Sequence, residues 1–302
     1  AIWLCLALRQ TDGRLITLAD YEAGALYRDG RAWGVARPLT YQMYVLSCRD
    51  AFNGAVQWLR PWDGRNVRKA KRSLAFADGR IFTVEAGRLT ATDIRDGSIL
   101  YAAQAPAKFD AASWLHCDKD VVAVHDLVGT TDADGVTTGL RSLSVFEAAS
   151  GRLLWQSPNS IVWAALEGGR LFAALARSQD MRADSEELRA FDAAGGAPLW
   201  KKTAPDLGGK EGDKITLHAA SMGLVLVSMG DSSTILLKGD SGETAHRLPV
   251  QGDPLFIADR LVVGRDPSSW FDLKTGALLG QAARPSRYAA MGMWACAAGA
   301  YT

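Results

Sequence analysis

The sequence predicts an all-β protein, a β-propeller built from four-stranded antiparallel blades. Three observations predict it: apolar and polar residues alternate along short segments, glycine-containing turns separate these segments, and one turn motif recurs along the chain. Residues 78–104, DGRIFTVEAGRLTATDIRDGSILYAAQ, show all three features in one stretch. Three strands are predicted there, with a fourth just before them at residues 72–77, so the stretch forms one antiparallel meander.

The recurring motif is an acidic residue, a glycine four residues later and an aromatic residue four residues after that. Weaker copies lack one of these three residues, as in Gly242 with His246, Asp272 with Gly276, and Asp20 with Gly24. The glycine is expected to supply the positive φ angle of the turn between the third and fourth strands, and the aromatic residue to pack on the neighbouring blade. The complete copies are Asp50-Gly54-Trp58, Asp93-Gly97-Tyr101, Glu147-Gly151-Trp155 and Asp192-Gly196-Trp200.

The spacing of the motif glycines predicts the number of blades. Successive glycines are separated by 30, 43, 54, 45, 46 and 34 residues, and a period in the mid-forties is typical of a propeller. About seven blades are predicted, with six or eight as alternatives, because residues 30–40 are too short for two full strands. The two chain ends are expected to complete one blade together. Residues 2–8 and 15–20 would be its second and third strands, and residues 291–297 its first.

Composition excludes several classes of protein. The 34 basic and 33 acidic residues give a net charge of +1, which argues against nucleic acid as a partner. No segment is long and apolar enough to span a membrane, and no signal peptide is present. The four cysteines form no CxxC pair and are expected to be buried small side chains: Cys5, Cys48, Cys117 and Cys296. Residues 1–302 are predicted to form a single domain, a piece of a longer protein.

Four copies of the motif resemble the PQQ-like β-propeller repeat family: DAFNGAVQW, EAASGRLLW, DAAGGAPLW and DLKTGALLG. Quinoprotein dehydrogenases and outer-membrane assembly lipoproteins belong to this family, and uncharacterised bacterial repeat proteins look similar. The resemblance covers most of the chain and implies a propeller fold in a bacterial protein of the periplasm or the extracellular space. The alcohol dehydrogenases of the family carry adjacent cysteines that stack on the quinone and hold calcium with Glu, Asn and Asp. This sequence has no adjacent cysteines and no matching calcium ligands, so no cofactor is expected, with PQQ and calcium as the alternative.

The connections after the second and fourth strands leave a blade on the same face, where binding sites usually collect. One such connection contains the segment RNVRKAKR, residues 65–72. Its five cations could bind a phosphate, a sulfated glycan or an acidic protein, because guanidinium groups grip anions with two hydrogen bonds. A solvated loop is the alternative. These anion or partner candidates are Arg65, Arg68, Lys69, Lys71 and Arg72.

Other candidates concern metals and the channel mouth. Asp132 and Asp134 lie in a TTDADG segment that resembles a calcium loop, although Arg141 stands where the bidentate acid is expected. His116 and His125 flank a short hairpin and would suit zinc if a carboxylate such as Asp118 or Asp126 joined them, with ordinary hydrogen-bonded histidines as the alternative. Rim carboxylates are expected at Asp184, Glu186 and Glu187, and the channel-mouth candidates are Trp114, His116, Trp163 and His125.

The motifs of common enzyme classes are absent. No GxSxG, P-loop or HExxH occurs, and the protease-like GDSG at residues 239–242 is explained by the repeat. The sequence therefore predicts a non-catalytic binding or scaffolding propeller. Its partner would be another protein or another module of the same parent chain, or a small molecule or glycan at the channel mouth. The alternative is a PQQ- and calcium-dependent oxidoreductase acting on an alcohol or sugar, and a third hypothesis is a carbohydrate-active propeller that uses rim carboxylates.

Overall fold

The protein is all-β, as predicted, with four-stranded antiparallel sheets that are the blades of a β-propeller. Its computed structural model describes residues 5–11, 14–21, 26–28, 31–33, 43–62, 74–85, 87–104, 114–131, 137–157, 161–176, 185–229, 233–250, 253–257, 260–264 and 268–282. These residues contain six four-stranded sheets and one separate two-stranded hairpin. The chain divides into two compact units, with the boundary between Leu115 and His116.

The first unit contains two four-stranded sheets. The first sheet has the order β1 (Cys5–Thr11), β2 (Arg14–Tyr21), β5 (Met43–Asp50) and β6 (Val56–Trp62). A hairpin of β3 (Leu26–Arg28) and β4 (Arg31–Trp33) lies between β2 and β5 in the chain. The second sheet consists of β7 (Leu74–Ala77), β8 (Arg80–Glu85), β9 (Arg88–Asp93) and β10 (Ile99–Gln104).

The second unit contains four sheets, each a meander in chain order, and the first strand of the third sheet begins two residues before the unit boundary. The third sheet is β11 (Trp114–Cys117), β12 (Val121–Thr131), β13 (Thr137–Glu147) and β14 (Leu153–Ser157). The fourth is β15 (Ile161–Glu167), β16 (Arg170–Ala176), β17 (Ser185–Asp192) and β18 (Pro198–Thr203). The fifth is β19 (Ile215–Ser221), β20 (Leu224–Met229), β21 (Ser233–Lys238) and β22 (Thr244–Leu248). The sixth is β23 (Asp253–Ile257), β24 (Arg260–Gly264), β25 (Ser268–Asp272) and β26 (Leu278–Ala282).

The cores lie between successive sheets, because the middle strands are buried on both faces. In β8, Ile81 faces the first sheet and shares a cluster with Ile16 and Leu46, whereas Phe82 points to the opposite face and is equally buried. Similar apolar clusters join the third to the fourth sheet, the fourth to the fifth, and the fifth to the sixth. The fourth and fifth sheets thus bury both of their faces by stacking, as blades require.

The motif turn has the same geometry in all six sheets. The glycine N–H donates to the carbonyl of the residue four places earlier at 2.8–2.9 Å, and every one of these glycines has a φ angle between 69° and 76°. The acidic side chain closes the turn: in the second sheet, the side-chain hydrogen bond from Arg95 helps to lower the pKa of Asp93 to about 2. The predicted role of the motif glycine is confirmed at Gly54, Gly97, Gly151, Gly196, Gly242 and Gly276.

An aromatic ring from the preceding sheet lies on the motif glycine, and we name this the glycine–aromatic contact. A Cβ atom built on Gly97 would lie 2.7 Å from Cδ2 of Trp58, so only glycine leaves room for the ring. The indole Nε1 of Trp58 also donates to the carbonyl of Ile94 at 2.9 Å. The predicted packing of the motif aromatic on the next blade is therefore confirmed. The other contacts are Trp155 on Gly196, Trp200 on Gly242 and His246 on Gly276.

The predicted register at the amino end was wrong. Residues 2–8 and 15–20 were expected to hold a second and a third strand, but β1 and β2 are the first and second strands of a complete sheet. Strand β5 pairs with β2 along its whole length, from Arg14 opposite Asp50 to Tyr21 opposite Met43. Asp20 therefore precedes a long connection instead of a motif turn. Residues 291–297 and Gly24 lie outside the described residues, so the closure of a blade by both ends stays a prediction, as do the blade number and the single domain.

Candidate functional site

Each sheet has two different ends. The hairpin end carries the turns between strands one and two and between strands three and four, and the connection end carries the links that follow strands two and four. The hairpin end is regular: the carboxylate of Asp118 accepts the Gly169 N–H at 3.1 Å, and that of Glu167 accepts the Gly223 N–H at 3.1 Å. These bonds tie neighbouring sheets together. The connection end differs from sheet to sheet and contains the predicted sites.

The segment that contains TTDADG, which resembles a calcium loop, lies within a connection that is partly strand. Strands β12 and β13 remain paired up to Thr131 opposite Thr137. The reason is local sequence, because the threonines and Val128 are β-branched and favour extended backbone. Asp132 and Asp134, the weak calcium candidates, lie outside the described residues.

The five basic candidates also lie outside the described residues: Arg65, Arg68, Lys69, Lys71 and Arg72. The described strands on either side nevertheless show which two sheets this segment links. Strand β6 is the fourth of the first sheet and ends at Trp62, and β7 is the first of the second sheet and begins at Leu74. The segment therefore links the two sheets at the connection end, where a partner site was predicted.

A buried ion pair stands beside this link, and sequence reasoning missed it. The guanidinium of Arg60 on β6 donates two hydrogen bonds to the carboxylate of Glu85 on β8, at 2.6 and 2.7 Å, and a third to the Thr92 hydroxyl at 3.1 Å. The Thr83 hydroxyl also donates to Glu85. The Arg60 and Glu85 side chains are only 15% and 10% exposed. The pair joins the first sheet to the second, and no local sequence signal indicates it because the partners come from separate strands.

Glu187, one of the expected rim carboxylates, is paired with basic side chains. It lies on β17, where it accepts hydrogen bonds from Arg189 and from Lys201, the latter at 2.8 Å. Burial raises the pKa of Glu187, but the hydrogen bonds from both cations outweigh burial and lower it. The carboxylate is therefore committed to an ion cluster. Glu186 is its partly buried neighbour, and Asp184 lies outside the described residues.

His116 and His125 come close together, as the hairpin between them predicted. His125 is 6% exposed, and its Nε2 lies 2.6 Å from the carbonyl oxygen of Ile161 in the next sheet. The Nε2 atom of His116 is buried without a hydrogen-bond partner, and burial, together with the neighbouring His125, lowers the pKa of His116 to about 4. Among the described residues no group of three or more His, Cys, Asp or Glu side chains could hold a metal, so the zinc hypothesis gains no support.

The remaining candidates are tryptophans. Trp163 on β15 is partly buried and packs against the apolar cluster between the fourth and fifth sheets. Trp114 on β11 is also partly buried. Their placement at a channel mouth stays a prediction. Cys48 is buried, as expected, and Cys117 is only partly buried.

The connection from β18 to β19 is fully described and stabilises itself. Asp206 accepts hydrogen bonds from the N–H and hydroxyl of Thr203, Leu207 is buried, and the Arg247 guanidinium donates to the Leu207 carbonyl at 2.6 Å. The 3-10 turn Pro205–Leu207 forms part of it. The described part of the chain contains no helix with the length and apolarity to cross a bilayer.

The polar groups of the connection end mainly join elements to one another. A calcium-bound quinone would need carboxylates that are open to the metal, but Glu85 and Glu187 are both bonded to basic side chains. Neither of these two carboxylates is therefore open to a metal. What the arrangement does achieve is a rigid frame from which the variable connections project.

Three comparisons place the chain among known proteins. A family model described as outer membrane protein assembly factor BamB matches residues 42–161 and 139–262. No curated protein matches the sequence. Among solved structures, the computationally designed Ika8 protein aligns with a TM-score of 0.52 and 15% identity, over 93% of this chain and 87% of that one, a likeness of fold alone.

Two natural proteins align with lower scores. BamB from Moraxella catarrhalis gives a TM-score of 0.49 and 13% identity, over 91% of this chain and 87% of that one. Quinohemoprotein alcohol dehydrogenase ADHIIG from Pseudomonas putida HK5 gives 0.46 and 12%, over 90% of this chain but only 44% of that one. At such scores neither likeness carries an argument about function.

Proposed function

The chain belongs to the family of outer membrane protein assembly factor BamB, and from this premise we propose that it is a non-catalytic scaffold that binds proteins during outer membrane assembly. The observation that carries the proposal is the family match over residues 42–161 and 139–262, which together span more than two thirds of the chain. The periplasm is the compartment that this role requires. The bonds that engage Glu85, Glu187 and His125 support a binding role over acid–base chemistry.

The basic segment between β6 and β7 is the surface that we propose for an acidic protein partner. It contains Arg65, Arg68, Lys69, Lys71 and Arg72. Basic side chains on a loop attract a partner over long range and form charge-assisted hydrogen bonds with its carboxylates. The Arg60–Glu85 ion pair holds together the two sheets from which the segment projects. A rigid base of this kind reduces the entropy that binding costs.

A charge-reversal experiment tests this role. The purified components of the outer membrane assembly machinery, from the organism that encodes the chain, are passed over the immobilised protein, and the Kd is measured. Lys69→Glu/Lys71→Glu is expected to weaken binding about tenfold or more, because it replaces attraction with repulsion. The matched control is Lys119→Glu/Lys274→Glu, which reverses two exposed charges at the hairpin end and is expected to leave Kd unchanged. Absence of binding by the unmodified protein would refute the proposed function.

A second measurement separates the scaffold from the quinoprotein alternative. The protein is mixed with PQQ and calcium, and the quinone absorbance and the reduction of a dye by alcohols or aldoses are recorded. The scaffold role predicts neither a tight absorbance change nor dye reduction. Saturable PQQ binding with turnover would instead establish an oxidoreductase.

A further inference from the structure

Two neighbouring contacts between sheets differ in one respect that matters at acidic pH. At the third–fourth seam, defined here by His116, His125 and Ile161, the His125 imidazole bonds the Ile161 carbonyl. At the fourth–fifth seam, defined by Ser185 and Ile215, the Ser185 hydroxyl bonds the Ile215 carbonyl. Ile161 and Ile215 hold the same place, the first residue of the first strand of a sheet. An imidazole titrates near neutral pH, whereas a hydroxyl does not.

The hydrogen bond fixes the tautomer of His125. A carbonyl oxygen can only accept, so the Nε2 of His125 carries the proton and donates it to Ile161. The neutral imidazole is sufficient for this bond. It is buried against an apolar cluster that contains Val121, Ala123, Leu143, Ile161 and Ala164 among its members. A charged imidazole loses favourable hydration when it is buried in apolar surroundings.

His116 is the weaker point of the seam. Its buried Nε2 has no partner, so a proton bound there finds no acceptor and places a positive charge beside His125. Two carboxylates of the flanking hairpins are engaged elsewhere: Asp118 accepts the Asp120, Val121 and Gly169 N–H groups, and Glu167 accepts the Gly223 N–H. The members of the apolar cluster itself contribute no charge. None of the described side chains named above offers an acceptor to a protonated His116, and water entering the seam would supply one.

We propose that the third–fourth seam opens in acid while the fourth–fifth seam stays closed, with protonation of His116 as the trigger. In the open form, β11 and β12 separate from β15, the Ile161 carbonyl is released, and both imidazoles are hydrated. The device adds a pH-dependent conformational change to the protein and does not rest on the proposed binding role.

The direction of the pH effect follows from the lowered pKa of His116. The closed seam binds the proton with a pKa of about 4, and the open seam binds it near the ordinary 6.5. The seam is therefore fully stable above pH 6.5 and loses stability as the pH falls towards 4. From these two values, the equilibrium between closed and open forms shifts at pH 5 by roughly 20-fold towards opening, relative to neutral pH.

Hydrogen–deuterium exchange of the intact protein at pH 7.5, 6 and 5, corrected for intrinsic exchange rates, tests the proposal. Peptides from β11, β12 and β15 are expected to lose protection by about tenfold or more between pH 7.5 and 5. Peptides from β17 and β19 serve as the internal control and are expected to change less than about twofold. The proposal would be overturned if the β17 and β19 peptides lost as much protection as the β11, β12 and β15 peptides. It would also be overturned if the β11, β12 and β15 peptides lost none.

Three variants identify the trigger. His116→Leu removes the titrating group, and the protection of β15 is expected to become independent of pH. His125→Gln keeps an N–H donor for Ile161 and is expected to retain most of the pH dependence, which also secures the test if His116→Leu does not fold. Ser185→Ala is expected to lower protection of β19 equally at every pH. Persistence of the acid response in folded His116→Leu would exclude His116 as the trigger.

Discussion

The described contacts between sheets within each unit are of two kinds, an outer part and an inner part, which follow different rules. The outer part is the glycine–aromatic contact, which recurs with ring atoms 2.7–2.8 Å from the Cβ position of the glycine. The inner part changes from one pair of sheets to the next, with His125 in one and Ser185 in another. The repeat thus fixes how the sheets stack, and the residues outside the repeat give each pair its own properties.

The largest effect is expected at the outer contact. Trp155→Ala removes the ring from Gly196, its packing near Phe191 and the hydrogen bond to Ala193. The free energy of unfolding is expected to fall by about 3 kcal/mol. Urea unfolding followed by far-UV circular dichroism measures this change. Trp155→Phe keeps a ring and should lose only about half as much. If Trp155→Ala lowers the free energy of unfolding by less than about 1 kcal/mol, the outer contact is not a main source of stability.

A pair of glycine variants separates the ring contact from the turn itself. Gly196 and Gly54 have φ angles of 72° and 73°, but only Gly196 has a ring within 4 Å of its Cβ position. Both alanine variants are expected to cost about 1 kcal/mol for the left-handed backbone. Gly196→Ala should cost a further 2 kcal/mol or so, because the methyl group displaces Trp155. Thermal unfolding measures both variants. If Gly196→Ala and Gly54→Ala lose the same stability, the ring does not constrain Gly196.

The comparison also shows what the sequence could predict about the fold. Motif residues act within a few positions of one another, so the turn at Asp93 and Gly97 was predicted correctly from local chemistry. Asp20 and Gly24 have the same residue types and spacing as the motif, yet Asp20 lies in the second strand of its sheet. Only the long pairing of β2 with β5 distinguishes the two cases. Local sequence therefore predicts strands and turns better than it predicts their rank within a sheet.

The fifth sheet offers a way to strengthen an outer contact. It uses His246 where three other sheets use tryptophan, and the His246 ring lies on Gly276 with Nε2 3.1 Å from the Lys274 carbonyl. His246→Trp is expected to raise the free energy of unfolding by about 1 kcal/mol, because the indole covers more apolar surface. Calorimetry at neutral pH tests this. His246→Ala is the matched control and should destabilise the protein.

The smallest effect on stability is expected at a hairpin turn that belongs to neither the outer nor the inner contact between sheets. Met222 has a φ angle of 55° and is 57% exposed, whereas Gly168 holds the same place in the hairpin of the fourth sheet. Met222→Gly should relieve left-handed strain and raise the free energy of unfolding by about 0.5–1 kcal/mol. The melting temperature should rise slightly. A lower melting temperature for Met222→Gly would show that the methionine side chain itself stabilises the fold.

The candidate site was less predictable than the fold. The proximity of His116 and His125 followed from a short hairpin, but the bond from His125 to Ile161 joins residues 36 positions apart. The Arg60–Glu85 pair likewise depends on which faces of two sheets meet. Such contacts are properties of stacking, and a single sequence does not specify them. The basic segment and Asp132 lie outside the described residues, so their roles stay predictions.

Every glycine–aromatic contact has the same direction along the chain, because the ring belongs to the earlier sheet and the glycine to the later one. The Trp58 indole bonds a carbonyl 36 residues downstream, and the Trp200 indole one that is 39 residues downstream. During translation, each ring is therefore synthesised before the glycine that it covers. The growing end of the nascent chain presents an uncovered aromatic side chain until the next meander folds, and a chaperone that recognises such side chains would follow synthesis one repeat at a time.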